Sequence, residues 1–453
     1  MTRASRSLLA AVVLLTVPAL TARARTFSLN QAVRFALRHS SLTALARART
    51  LMADARLRAA RAQGMPQISA TYNYLFSDNP LAALTAELER RQVTASAFTP
   101  ANLNHPGISR LATAGLSLTV PLYSGGAISA DIRAGRLGRA AAQAGRAEIQ
   151  QRIMATTVQA YEGVLAAKAA VHIAREAMRA ARKHADTTAR LYHEGRIVHA
   201  DALTAAVYLR ATHEGVLKAE AALQAAQANL VAVLGAPAPL SVQLPAIHLQ
   251  PPAPVTMTAQ AAIARALQQR PDIRALEAER AADLAEARAL RARSGIQVGV
   301  TASTDWYSET PLPRHNAWTV AGTISAPLYT GGRARDQAAV KQGAALEVAA
   351  RVDELRTQIR LQIMRTYSNM QIAWRRYRLA VTNVTEARAA VRLIRIRYGE
   401  GRTILLDLLN AEEALTAARE QRLAAVYALV SDEANLAAAD ASLSPQTLPR
   451  LSP

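Results

Sequence analysis

The sequence predicts an α+β membrane protein made of one unit used twice: helix, β-hairpin, long helix, tight turn, helix. Three observations predict it. Pro121-Leu122-Tyr123-Ser124-Gly125-Gly126 returns 206 residues later as Pro327-Leu328-Tyr329-Thr330-Gly331-Gly332, and Tyr192-His193-Glu194-Gly195-Arg196 returns at the same spacing as Tyr398-Gly399-Glu400-Gly401-Arg402. Each copy holds a proline-free stretch of some 66 residues, Ala127–Tyr192 and Arg333–Tyr398. Each also holds two segments whose apolar residues alternate with small polar ones.

The elements follow in order. Arg3 and Arg6 precede an apolar run from Leu8 to Leu20, and Ala22-Arg23-Ala24 has the small-x-small form of a cleavage site. Residues 1–24 read as a secretory signal, the alternative being a short membrane anchor. The first helix, 29–63, opens with Ser28 and Gln31 in capping-box spacing and ends at Gly64 and Pro66. A hairpin at about 67–123 follows. Ile68, Ala70, Tyr72, Tyr74 and Phe76 share one face, opposite Ser69, Thr71 and Asn73; Leu116, Leu118, Val120 and Leu122 oppose Gly115, Ser117 and Thr119. Helices at 127–192 and 201–234 complete the first unit, residues 25–234. A proline-rich linker, 235–256, leads to the second unit, residues 257–440. Its helices are expected at 259–293, 333–398 and 405–439, and its hairpin at about 297–329; residues 441–453 form a tail. Upstream of the hairpins the spacing between copies is 230 (Leu37 with Leu267, Gln67 with Gln297), so the first copy carries 24 extra residues between positions 79 and 110. Leu81–Arg91 within them reads as a short helix or a disordered loop.

Composition narrows the function classes. The chain has 453 residues and no cysteine, which excludes disulfides, thiolate metal sites, thiol nucleophiles and a lipidated N-terminus. It is 51% hydrophobic but only 4% aromatic, which suits long alanine-rich helices in close contact better than a bulky globular core. The net charge of +21, or +18 without Arg3, Arg6 and Arg23, would suit nucleic acid, but an exported chain without aromatic stacking platforms argues against that partner. No phosphate-binding loop, nucleophile elbow or H-E-x-x-H is found, so no enzyme activity and no cofactor is expected. His193 and His199 lack a carboxylate or thiolate companion and make a weak metal site.

Strands of about 10 residues with one apolar and one polar face fit a transmembrane barrel, or amphipathic hairpins packed on soluble helices. Four strands cannot close a barrel, because open edges in lipid leave unpaired backbone groups; three chains would supply twelve. A helix of 66 residues is about 100 Å long, and the two shorter helices of each unit sum to the same length. Ile359, Ile363, Tyr367, Met370, Trp374, Tyr377 and Val381 form a near-heptad seam, which also fits a solvated coiled coil.

The segment Tyr398-Gly399-Glu400-Gly401-Arg402-Thr403-Ile404-Leu405-Leu406-Asp407, the doubled Pro-Leu-Tyr-x-Gly-Gly junctions and the opening Leu29-Asn30-Gln31-Ala32-Val33 together resemble the TolC-like outer-membrane efflux protein family. The resemblance implies a homotrimer, with a 12-stranded β-barrel in outer-membrane lipid continued by a 12-helix α-barrel across the periplasm. It implies an exit duct, without an activity of its own, that serves a periplasmic adaptor and an inner-membrane transporter for efflux or for type I protein secretion. The alternative from another class is a soluble periplasmic coiled-coil adaptor or scaffold. The resemblance also places a periplasmic gate at Gly195, Asp201, Gly401, Arg402 and Asp407, with Asp201 and Arg402 as closing links. Pro121, Gly125, Gly126, Pro327, Gly331 and Gly332 become strand-to-helix junctions. On physical grounds alone, Asp201 and Asp407 also fit as caps of the returning helices. Arg388, Arg392, Arg395 and Arg397 beside Glu386 speak against an acidic ring at the tip.

Overall fold

The computed structural model describes residues 25–235, 242–243, 251, 257–312 and 314–444. The expected signal at 1–24, most of the linker at 235–256 and the tail beyond 444 lie outside the described residues.

The first unit runs β1 (Arg25–Thr26), α1 (Leu29–His39), α2 (Ser41–Ala62) and β2 (Gln67–Ser77). Next come α3 (Pro80–Glu89), a 3-10 turn at Ala95–Phe98, α4 (Pro100–Asn104), β3 (Ser109–Tyr123), α5 (Ala127–His193) and α6 (His199–Leu234). After β4 (Val242–Gln243), which pairs in parallel with β1, the second unit runs α7 (Ala259–Gln269), α8 (Pro271–Ala292), β5 (Gln297–Ser308), β6 (His315–Ser325), α9 (Arg333–Gly399) and α10 (Leu405–Ala439).

Two expected helices are each broken in two. The helix at 29–63 stops at Ser40, whose backbone is extended (ψ 137°), whose hydroxyl accepts from the Leu42 N–H and whose N–H donates to Ala36 O. The helix at 259–293 stops at Arg270, the residue before Pro271, where the proline ring disfavours helical geometry. Arg270 is then held by Asp272 at 2.6 Å and donates to the main-chain oxygen of Ala439 at 3.1 Å. The capping box at α1 forms: Gln31 N–H donates to Ser28 Oγ, and Ser28 N–H to Gln31 Oε1 at 3.0 Å.

The extra segment is ordered, and its helix lies at Pro80–Glu89, begun by Asn79, whose Oδ1 accepts from the Leu81 and Ala82 N–H groups. The four long strands form one antiparallel sheet in the order β2-β3-β5-β6. Its last strand stops at Ser325, short of the expected 329, because β5 begins at Gln297 and offers nothing further to pair with.

α5 and α9 each have 67 residues, about 100 Å at 1.5 Å per residue. α1 packs on α5 and α7 on α9, so the two copies keep the same internal contacts. The α5 core joins Val33, Ile153, Tyr161, Leu230 and Leu234; the α9 core joins Ala262, Ile359, Ile363, Met370 and Leu429. The seam on α9 holds as far as Tyr377, but Val381 is exposed and Ala380 and Val384 take over the buried side. Small residues allow close approach: a Cβ on Gly135 of α5 would sit 3.2 Å from Leu57 Cα of α2. No helix among the described residues is long and apolar enough to cross a membrane.

Candidate functional site

The protomer is laid out as a row of side-by-side elements rather than as a globule. In the sheet the lateral order is β2-β3-β5-β6; beside the sheet the helices follow as α2-α5-α8-α9, and further along as α6-α5-α10-α9. Among the described residues, the sheet and these two helix layers thus each have four elements side by side and two outer edges. The sheet register puts Ser69, Ser117, Ser303 and Thr319 in one row and Thr71, Gly115 and Asp305 in the next, all on one face. Ser69 and Ser117 are joined by a 2.7 Å hydrogen bond, and any Cβ on Gly115 would collide with the Asp305 carboxylate. The opposite face carries Ile68, Leu116, Leu118, Trp318, Val320 and Ile324, with Trp318, Ile324 and Ile68 three-quarters exposed. A polar face opposite a broad exposed apolar one is what a barrel in lipid requires.

At the strand-to-helix junctions the two copies match. Gly125 and Gly126 have φ +63° and +85°, Gly331 and Gly332 +62° and +80°. The turn closes through Ala127 N–H to Ser124 O at 3.0 Å and Arg333 N–H to Thr330 O at 3.3 Å. Gly126 and Gly332 serve as left-handed N-caps of α5 and α9. Pro121 coincides with a shift in the β3–β5 register, and Pro327 lies beyond the end of β6. Gly125 alone of the first glycines is hemmed in: its Cβ would meet Ala292 O at 2.7 Å, whereas Gly331 faces open space.

At the far tips, Gly195 and Gly401 have φ +70° and +69°. Each turn is closed by a six-residue hydrogen bond, Arg196 N–H to Leu191 O and Arg402 N–H to Arg397 O. Arg196 pairs with Glu194 at 3.6 Å and Arg402 with Glu400 at 3.2 Å. Asp201 and Asp407 sit in the first turns of α6 and α10. Asp407 accepts a hydrogen bond from Thr403 Oγ1; its counterpart Asp201 has Ile197 where Thr403 stands, and no such bond. Asp201 and Arg402 are not joined within the protomer. Asp201 instead lies beside Tyr398, whose pKa is raised by burial and by that carboxylate. Ala205, Leu405, Leu409 and Tyr398 pack the two tip hairpins together. His199 stacks on Tyr192 at 4.7 Å, and His193 stands tilted against the same ring at 5.9 Å. No group of three or more His, Asp or Glu among the described residues has a metal-binding arrangement. Arg388, Arg392 and Arg397 are exposed.

Two further groups were not foreseen. Glu412 of α10 is buried and receives Arg395 of α9 at 2.7 Å and His184 of α5 at 3.4 Å, so one carboxylate ties three helices near the tips. Burial alone would raise its pKa, but the bonds from His184 and Arg395 prevail and hold it below the usual value. Glu162 of α5 is fully buried with both oxygens unpartnered; burial and the nearby Glu433 push its pKa up to about 8.

The family model described as outer membrane efflux protein matches residues 33–236 and 262–442. The chain belongs to that family. Alkaline protease secretion protein AprF of Pseudomonas aeruginosa is 25% identical over 289 residues, a match that covers 61% of this chain and 59% of that protein's length. Among solved structures, CusC superposes with a TM-score of 0.76 at 19% identity over 91% of each chain. VceC of Vibrio cholerae superposes with 0.73 at 20% identity over 91% of this chain and 95% of its own. These likenesses show the fold: this outer membrane efflux protein has the same sheet and long-helix wall over nearly its whole length.

Proposed function

We propose that the protein is the outer-membrane exit duct of a tripartite efflux or secretion system, a homotrimer that conducts cargo passively. The observation that carries this is the wall of sheet and helix layers, with two outer edges in each. β2 and β6 each leave a row of backbone groups unpaired, at several kcal/mol per group in lipid. Three walls joined edge to edge give twelve strands and twelve helices, with the serine and threonine rows inside and the Trp318, Val320 and Ile324 face in lipid. No wholly soluble adaptor or scaffold needs such a face. At the tips, Val198, Leu203, Val207, Ile404 and Leu406 are exposed, a surface suited to a periplasmic adaptor, which in turn connects to an inner-membrane transporter that supplies the energy. Asp201 and Arg402, unlinked within one protomer, are taken in this reading as the closing links between subunits. The likeness to AprF, named for alkaline protease secretion, supports exported protein as a second cargo class.

The test is electrophoretic migration of detergent-extracted protein with and without boiling. A heat-modifiable trimer is expected; a monomer that stays soluble without detergent would overturn the reading.

A further inference from the structure

The extra segment of the first hairpin crosses the sheet. α3 starts just beyond β2 and packs on β3. The Arg90 guanidinium then meets the Glu309 carboxylate, just past β5, at 3.3 Å, and Arg91 donates to the main-chain oxygen of Asn316 in β6 at 3.1 Å. Its underside, Ala83, Ala86 and Arg90, is buried. Arg91 sits at φ +57° in the left-handed position that ends the helix, closed by Gln92 N–H to Glu87 O. Glycine is the relaxed residue there; arginine accepts about 1 kcal/mol of backbone strain, and the reach to Asn316 accounts for its presence.

The two faces of the sheet at this end are covered by different segments. On the apolar face, the Tyr72 and Tyr74 hydroxyls donate to the main-chain oxygens of Pro311 and Glu309, so the second hairpin's turn folds over that side. On the polar face, Leu111, in the same alternation as Gly115, is buried on the strand that α3 packs against, and Glu89 lies near enough to Asp305 for the carboxylates to repel. Asp305 shares its face with Thr71 and Gly115. α3 therefore lies on the side that a closed barrel turns inward.

The dimensions then decide what three such helices do. Twelve strands about 4.8 Å apart and tilted about 40° form a cylinder about 24 Å across at the backbone. Each α3 is about 15 Å long and about 10 Å thick, and three together leave no passage for cargo. The upper edge of the helix remains apolar and free: Leu81 is 73% and Leu88 53% exposed.

We propose that the three copies of α3 meet through Leu81 and Leu88 across the outer mouth and close it, each held inward by Arg90–Glu309 and Arg91–Asn316. The occupant of this free edge is a second copy of the chain, because the open strand edges bring identical segments round one axis. The inference rests on the trimeric barrel proposed above.

The chain has no cysteine, so single introduced thiols report without interference. Leu88→Cys in the purified trimer is expected to form disulfide-linked dimers on mild oxidation, while Leu312→Cys, on the turn over the apolar face, is not. Ser303→Cys lies two residues deeper than Asp305 on the inward face. A bulky polyethylene-glycol maleimide added from outside is expected to label it slowly, and about tenfold faster with Arg91→Gly, which removes a charge-assisted hydrogen bond while relaxing the backbone. A trimer on native electrophoresis without Leu88→Cys dimers, and with labelling unchanged by Arg91→Gly, would overturn the proposal. Absence of any trimer would overturn the barrel reading itself.

Discussion

Glu162→Gln tests the buried carboxyl between α5 and α10. In the folded protomer its pKa is about 8 against an ordinary 4.5, raised first by burial and then by Glu433. A raised acid favours the fold while it is protonated. Its contribution is complete below pH 4.5, falls as the pH climbs, and is gone above about 8. Some 3.5 pH units at about 1.4 kcal/mol each give about 5 kcal/mol per protomer across that window. For 453 residues, an unfolding entropy near 2 cal/mol/K per residue turns this into about 5 °C of thermal midpoint. Glutamine keeps the shape and cannot ionise. The trimer in detergent, heated at one scan rate from pH 5 to pH 9, should therefore lose stability steadily as wild type and less steeply as Glu162→Gln. The two should nearly coincide at pH 5 and separate by several degrees at pH 9. Parallel curves for the two proteins would refute the assignment of a neutral, unpartnered Glu162. Glu433, whose pKa is also raised by burial, keeps a slope of the same sign in Glu162→Gln, which is why that variant's curve is less steep rather than flat.

Glu412 has the opposite sign: its lowered pKa stabilises above pH 4.5 and the gain is lost in acid, so wild type should lose more between about pH 5 and 3 than Glu412→Gln does in thermal denaturation; equal losses would remove the His184–Glu412–Arg395 tie. Gly331→Ala should cost about 1 kcal/mol for its positive φ alone, and Gly125→Ala at least 2 kcal/mol more, because its methyl would meet the Ala292 carbonyl; chemical denaturation giving equal losses would contradict that close approach. Asp201→Ala combined with Arg402→Ser should raise single-channel conductance in planar bilayers, and unchanged conductance would leave Arg402 with only its Glu400 pairing.

The features legible in the sequence were those the chain writes in backbone chemistry. Paired glycines at 125–126 and 331–332 announce left-handed junctions, Gly195 and Gly401 announce reversals, and period-two alternation marks the strands. The break at Arg270 was missed by the expected helix at 259–293, although Pro271 was there to signal it by disfavouring helical geometry at the preceding residue. The break at Ser40 was not legible, because a serine that caps a new helix and one that rides an old one look alike without the Leu42 bond. Glu162 reads as an ordinary solvated charge, flanked by Tyr161 and Gly163; only α10 packed over it reveals the burial. Glu412, His184 and Arg395 lie on three helices with no common spacing in the repeat, so their meeting is purely tertiary. The sweep of α3 from β2 to β6 depends on Arg90 and Arg91 reaching partners more than 200 residues away.

The open edges have a genetic consequence. The outer edges of β2 and β6, eleven residues each, have no neighbour until another chain provides one, so one protomer that folds but cannot offer a proper edge spoils the ring it joins. Coexpressed in equal amounts with wild type, a proline-bearing β6 variant would leave roughly one trimer in eight free of the defect. A variant of this kind, which folds and is incorporated, would then behave as dominant, and its severity would track the cube of the intact fraction rather than the fraction itself.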